Sequence, residues 1–223
     1  MNGYYPVMLQ LRGERCVIIG GGRIAERKAL GLLEAGADTV FLVSPKITSR
    51  LEELASCGSL RWHCRTYEPE DALEARLLFA ATDDSGLNRR IADDGRRAGA
   101  LVNTVDESEG RGFLNPSVIR RGDLLIAVSA TGASPALSAR LKRELEGQYG
   151  EEYGYSVEQL RRLREYVKAA VSEPGEREML LRLAAEEVPF GDRTNIELKA
   201  WVERLRAKRP LDGRREEDNN GSS

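Results

Sequence analysis

The sequence has a single histidine, His63, and only three cysteines, Cys16, Cys57 and Cys64, in 223 residues. Neither a disulfide framework nor a Cys/His zinc cluster can be assembled from that set at the usual spacings. Cys57 and Cys64 flank Trp62-His63 at a spacing that suits no metal, so no metal site is expected. Charge of one sign is also missing. The 34 Lys and Arg stand against 36 Asp and Glu, a formal net charge of −2, which points to neither nucleic acid nor a membrane surface as partner. No apolar run approaches the roughly 20 residues that span a bilayer, and Met1 to Arg12 lacks the pattern of a signal peptide. A reduced, cytoplasmic, soluble protein is expected. With 41% hydrophobic residues, the chain can bury one good core, or one core and an annex.

What is present is a rhythm. From Arg15 to Val105, short apolar runs alternate with helical patterns, as in a parallel sheet covered by helices. Cys16–Ile19, Thr39–Val43, Leu60–Thr66, Arg76–Ala81 and Ala100–Val105 read as strands, and Arg23–Ala35, Pro45–Ser56 and Ser85–Ala98 as helices. The class is α/β, a Rossmann-like doubly wound parallel sheet, over residues 1–111. Next, Ser117–Arg121 and Asp123–Ser129 read as a hairpin turning at Gly122, part of a small α+β segment over 112–149. Helices over Ala136–Gln148, Val157–Val171, Glu176–Glu187 and Asn195–Lys208 follow, with breakers at Gly147, Gly150, Gly154, Pro174-Gly175, Pro189 and Gly191. They predict a helical annex over 150–209, in which Leu160, Leu163, Val167 and Val171 share one stripe. The remainder, 210–223, is polar and without periodicity, and is expected to be disordered.

Gly20-Gly-Gly22-Arg-Ile-Ala25 follows the first strand and opens the first helix. That context lifts a G-x-G-x-x-[GA] match above chance. Gly20 permits the tight turn, Gly22 lets backbone approach a pyrophosphate, and Ala25 allows close helix packing, while the helix N-terminus supplies free N–H groups. The acid that often ends the second strand is absent. Its place is Val43-Ser44-Pro45, so ribose recognition falls to the Ser44 hydroxyl and backbone groups, and Arg23 and Lys46 are either surface charges or attractors of a 2′-phosphate. Ala80-Ala-Thr82-Asp83-Asp84 closes the fourth strand, where strand ends face the ligand crevice. Thr82 and Asp83 therefore either contact a cofactor or serve the helix cap, for which Ser85 or Asp84 is the candidate.

Asn103-Thr-Val105-Asp106-Glu107 closes the fifth strand at the same crevice. Asp106 is the leading acid/base candidate, because the single histidine sits in a strand away from the crevice-facing tips; a loop aspartate bonding local N–H groups is the plain alternative. Ser129-Ala-Thr131-Gly132-Ala-Ser134-Pro135 is a small-residue loop leading into a helix with Ser134 at the N-cap and Pro135 at N1. Such a loop suits an anion, or simple capping. Arg111, Arg120, Arg121, Arg140, Lys142 and Arg143 cluster in sequence around it. They suit a polyanionic substrate or form a solvated face.

Several of these stretches together resemble one family. Tyr5-Pro-Val-Met8, Val17-Ile-Ile-Gly20-Gly-Gly-Arg-Ile-Ala-Glu-Arg27-Lys28, Ala80-Ala-Thr-Asp-Asp84 with Asn88, Asn103-Thr-Val-Asp106, Phe113 with Asn115-Pro116, and Ala127-Val-Ser-Ala-Thr-Gly-Ala-Ser-Pro135 look like the precorrin-2 dehydrogenase module of siroheme synthases, over about residues 4–149. The resemblance implies NAD-dependent oxidation of precorrin-2 to sirohydrochlorin and, in some members, Fe²⁺ insertion by the same module. It implies an essential aspartate at Asp106 and NAD contacts at Gly22, Arg23, Ile24, Ser44 and Pro45. It also implies a homodimer formed through about Gly112 to Gln148, with substrate over Asp106 and Asn103 and against Arg111, Thr131, Gly132 and Ser134. With no methyltransferase domain following, the stand-alone type of enzyme is expected. Glu107-Ser108-Glu109-Gly110 departs from the family, which often has Pro or a small residue soon after the Asp. A non-catalytic module that binds NAD to gate a partner is the alternative from another class; a second anion-binding loop argues against it.

Overall fold

A computed structural model describes residues 3–105, 112–190 and 196–208. Asp106 and Arg111 lie outside the described residues, as does the tail expected to be disordered. Among the described residues, those through Asn115 with Thr131–Ala133 form one compact unit, and Pro116–Ala130 with those from Ser134 onward form another.

The first unit is built on five parallel strands: β1 (Cys16–Ile19), β2 (Val40–Val43), β3 (Arg61–His63), β4 (Leu77–Ala80) and β5 (Leu101–Thr104), in the order β3-β2-β1-β4-β5. Helices α1 (Arg23–Glu34), α2 (Ser49–Ser56) and α3 (Ser85–Arg97) connect them. Every residue of β1 and β4 is buried, as befits strands covered on both faces. Alternation along β1 sends Cys16 and Ile18 into one core with α1 and α2, and Val17 and Ile19 into a second with Ile91 and Ala92 of α3. The chain builds outward from β1 to β3, then returns to add β4 and β5 on the other side. That reversal opens a crevice at the carboxyl ends of β1 and β4.

The strand and helix order is as the sequence predicts, with shorter ends. The Leu60–Thr66 run pairs only over Arg61–His63, and the helix expected from Pro45 starts at Ser49, where the Thr48 hydroxyl caps Leu51 N–H at 3.3 Å. A 3₁₀ turn over Pro69–Ala72 was not predicted. Its polar, Pro-containing sequence lacks a helical period.

In the second unit, β6 (Ser117–Arg121) and β7 (Leu124–Val128) pair antiparallel around Gly122, as expected. Helices α4 (Pro135–Gln148), α5 (Glu152–Ala170), α6 (Pro174–Ala185) and α7 (Leu198–Ala207) follow. Leu163 and Val167 of the predicted stripe are fully buried, packed with Leu180, Trp201 and Leu205; each such side chain contributes about 1.5–3 kcal/mol of burial. Four expected breakers are helical: Gly147 lies within α4, Gly154 within α5, and Pro174 and Gly175 open α6. At Gly154 the missing side chain is what matters, since a Cβ there would lie 3.0 Å from the Arg121 carbonyl carbon. No described helix is long and apolar enough to cross a membrane.

Candidate functional site

The glycine turn between β1 and α1 is shaped by what presses on it. Gly20 has φ +125° and donates its N–H to the Val43 carbonyl at 3.0 Å; a Cβ there would strike the Ala81 carbonyl. At Gly21 a Cβ would collide with the Lys46 carbonyl and come within 2.7 Å of the Ser44 hydroxyl. Gly21, given no role of its own in the sequence reading, is thus the most tightly enclosed of the three, and its only sequence signal is its place in the middle of three consecutive glycines. Gly22, the N-cap of α1, has open space within 4 Å and no side-chain cap. The first N–H groups of α1 therefore await an acceptor from outside the helix.

The loop after β2 folds over this turn. Thr48 N–H donates to the Gly21 carbonyl at 3.1 Å, and the Thr48 hydroxyl donates to Glu26 of α1 at 2.6 Å. Ser44, expected to bind ribose, is 8% exposed and donates its hydroxyl to the Lys46 carbonyl at 2.6 Å. Its proton holds the loop; only its lone pairs are left for a ligand. Trp62 fixes the Ser44 carbonyl from β3, with Nε1 donating at 2.9 Å.

The loop after β4 is held by Asn88 of α3, which is 1% exposed. Its Oδ1 accepts from Thr82 N–H at 3.1 Å and Thr82 Oγ1 at 2.8 Å, while its Nδ2 donates to the Thr82 carbonyl at 3.0 Å. Asp84, not Ser85, caps α3 through Leu87 N–H at 3.0 Å. After β3, Arg65 grips the buried Asp71 carboxylate with two bonds of 2.8 and 2.6 Å. Burial raises the Asp71 pKa, but these bonds and the Glu68 N–H outweigh it and hold the group below the usual carboxylate range. Tyr67 donates to Asp94 at 2.9 Å, and burial first, then this bond, pushes its phenol up.

These loops line one cleft of about 520 Å³, within the range of small-molecule sites. Its walls are Gly20–Gly22, Ser44–Thr48, Arg65–Tyr67 and Ala81–Asp84, with Ile19, Val43 and Leu87. Of the residues expected at a cofactor, Gly20, Gly22, Ser44, Pro45, Thr82 and Asp83 come together here. Arg23 and Ile24 are exposed in the first turn of α1 without lining the cleft, and Ala25 is wholly buried beneath it, a packing residue.

Of the residues expected at a substrate, Asn103 is 6% exposed and its amide faces inward. Its Oδ1 accepts from Lys28 Nζ at 3.0 Å and its Nδ2 donates to the Phe113 carbonyl at 3.0 Å, because β5 turns this side chain toward α1 rather than toward the crevice. Thr131 and Gly132 adopt left-handed backbone, at φ +51° and +87°, and Ser134 Oγ caps α4 through Leu137 N–H at 3.2 Å. Part of the basic cluster is paired within its own unit: Arg121 with the Tyr149 carbonyl and Glu151, Arg140 with Glu144, Lys142 with Glu146. Among the described residues no group of three or more His, Cys, Asp or Glu could hold a metal ion.

A parallel sheet whose order reverses above a glycine turn, with the free start of a helix in the crevice, defines a Rossmann-type dinucleotide-binding unit. A family model described as NAD(P)-binding matches residues 7–117, and that of the sirohaem biosynthesis protein central region matches 121–148. The chain is 34% identical over 209 residues to a siroheme synthase of Nitrosospira multiformis, covering 90% of this chain and 44% of the relative. A siroheme synthase of Chromobacterium violaceum is 38% identical over 151 residues, 68% of this chain and 32% of the relative. Among solved structures, SirC, a precorrin-2 dehydrogenase, superposes with a TM-score of 0.70 at 26% identity, covering 92% of this chain and all of that one. The chain belongs to the siroheme synthase and precorrin-2 dehydrogenase family, and spans less than half the length of the curated siroheme synthases it matches.

Proposed function

We propose that the protein oxidises precorrin-2 to sirohydrochlorin with NAD, a step of siroheme biosynthesis. The observation that carries this reading is the enclosed Gly20–Gly22 turn opening on a cleft at the strand-order reversal. The likeness to SirC over its whole length supports the substrate. The residues present fit the dinucleotide: the N–H groups at the start of α1 would receive the pyrophosphate, and Ser44, Pro45, Thr82 and Asp83 would flank the rest. NAD, when bound, supplies the hydride acceptor. The chain's own task is to orient the tetrapyrrole and take up the proton lost with the hydride. We assign that proton to Asp106, which follows β5 by two residues in sequence. Arg111 and the Thr131, Gly132 and Ser134 loop are read as contacts for substrate carboxylates, by charge, backbone N–H groups and hydroxyls.

The protein is further read as a cytoplasmic homodimer. Its three cysteines are free, which supports the reduced compartment. The two-stranded β6–β7 sheet, on which α4 and α5 pack while Leu124, Leu125, Ile126 and Val128 stay only half-buried, supports a second copy, which would cover that apolar surface. Turnover of precorrin-2, followed by NADH absorbance, tests the activity; Asp106→Ala should lower kcat by about a hundredfold or more, and undiminished turnover removes Asp106 from the reaction. Absence of turnover in the wild type removes the activity itself. Anaerobic incubation with sirohydrochlorin and Fe²⁺ reads iron insertion separately, and sedimentation at several concentrations reads the dimer.

A further inference from the structure

Lys28 lies on α1, about two turns beyond the dinucleotide turn, yet its ammonium reaches along the sheet face to β5. It is half-buried, donates to Asn103 Oδ1 at 3.0 Å and sits 5.2 Å from the centroid of the Phe79 ring. Phe79 in turn meets Phe113 edge to face at 5.6 Å, and Asn103 donates to the Phe113 carbonyl at 3.0 Å. Gly112 N–H donates to the Val102 carbonyl at 2.9 Å, and Val105 N–H to the Ala80 carbonyl at 3.2 Å. The chain therefore leaves β5 at Val105 and rejoins it at Gly112, with both points tied to the sheet. Lys28 is tied to the same place from the helix that begins at the cofactor turn.

We propose that Lys28 is a positioning residue: through Asn103 and Phe113 it holds the end of β5 against the chain that rejoins the sheet at Gly112, two points between which Asp106 falls in sequence, and links both to α1. This rests on the reading of Asp106 as the proton acceptor. A charged donor on an amide oxygen, seated on an aromatic face in a half-dry site, holds more firmly than a neutral bond. Asn103 is suited to the middle of such a relay because one end of its amide accepts while the other donates; aspartate keeps the first function and loses the second.

The test uses Lys28→Met, which keeps the apolar stem, Lys28→Arg, which keeps the charge, and Asn103→Asp, all in the full chain. Amide hydrogen exchange at Gly112 is the readout independent of activity. Lys28→Met and Asn103→Asp should each speed it by about tenfold or more, with the amides of β1 unchanged, and Lys28→Arg should restore most of the protection. In turnover, kcat should fall by about tenfold in Lys28→Met while KM for NAD stays within about twofold. Combining it with Asn103→Asp should add little, as for two members of one relay. Wild-type exchange at Gly112 in Lys28→Met overturns the clamp, as does a loss of activity that lies wholly in KM for NAD. A wild-type enzyme inactive on precorrin-2, with exchange accelerated as expected, would instead overturn the proposed reaction and leave the clamp standing.

Discussion

Two adjacent glycines separate what the turn needs in order to fold from what it needs in order to bind. An alanine at Gly21 would press its methyl into the Lys46 carbonyl and within 2.7 Å of the Ser44 hydroxyl. Backbone on that side cannot rotate away, so the Ser44–Thr48 loop must move, and the 3.1 Å bond from Thr48 N–H to the Gly21 carbonyl goes with it. Overpacking costs about 1–3 kcal/mol and the bond about 1 kcal/mol, so Gly21→Ala should lose about 2–4 kcal/mol of folding stability. An alanine at Gly22 meets nothing within 4 Å and keeps an ordinary φ of −86°. Its cost is confined to the helix start, under about 1 kcal/mol, but its methyl occupies the space through which a pyrophosphate would approach. Urea unfolding followed by tryptophan fluorescence reads the first effect, since Trp62 is bonded to the Ser44 carbonyl. At an m-value of about 2 kcal/mol per molar, the Gly21→Ala midpoint should fall by about 1–2 M. Calorimetric titration with NAD reads the second, and Gly22→Ala should lose at least about tenfold in affinity, roughly 1.4 kcal/mol. Equal destabilisation by both substitutions, or a Gly21→Ala protein as stable as the wild type, would refute this account of the turn.

Three other outcomes follow from the same structure. Burial, with Glu14 and Asp38 nearby, pushes the Cys16 thiol up to about 11, whereas Cys57 and Cys64 are exposed and Ser59 lowers Cys57; a disulfide reagent near pH 8 should titrate two thiols in the native protein and the third only in denaturant. Asp71→Asn should cost about 2 kcal/mol, because the buried side chain can no longer accept both of the charged bonds from Arg65. The Asp71 pKa is lowered in the folded state, so its contribution is full above the unfolded value near 4 and is lost as pH falls through the folded one; the gap between wild type and Asp71→Asn should close in acid melts, and a gap that widened there would contradict the assignment. Glu187 accepts from Lys208 at 2.5 Å, Arg204 at 2.7 Å and Trp201 Nε1 at 3.0 Å. Glu187→Ala leaves that indole N–H without its carboxylate and should lower stability by about 1–3 kcal/mol, read as a lower midpoint of thermal unfolding monitored by tryptophan fluorescence.

The features read correctly from sequence are those whose cause is local. The Gly20–Ala25 turn, the buried runs of β1 and β4, the Gly122 hairpin and the Leu163–Val167 stripe each follow from neighbours a few residues away, where periodicity and turn chemistry act. Errors gather where tertiary approach overrides that chemistry. Gly154 has the composition of a breaker and is helical, since the Arg121 backbone packs against the missing side chain. Ser44 lines the cleft, as its position suggests, but folding also places the Lys46 carbonyl 2.6 Å from its hydroxyl, a bond that no local signal announces.

Asn103 shows how far such an override reaches. Its place at the tip of β5 is legible, and strand tips in this fold face the crevice. Which way a tip side chain turns depends on parity along the strand. Asn103 pairs in register with Phe79 and shares its face, toward α1. Its partner Lys28 is 75 residues away in sequence, and on helical periodicity alone Lys28 reads as one more surface charge. Only once the chain folds does Lys28 of α1 meet Asn103 of β5, which is why the tie between that helix and the end of β5 emerges from packing and leaves no signature in either stretch of chain taken alone.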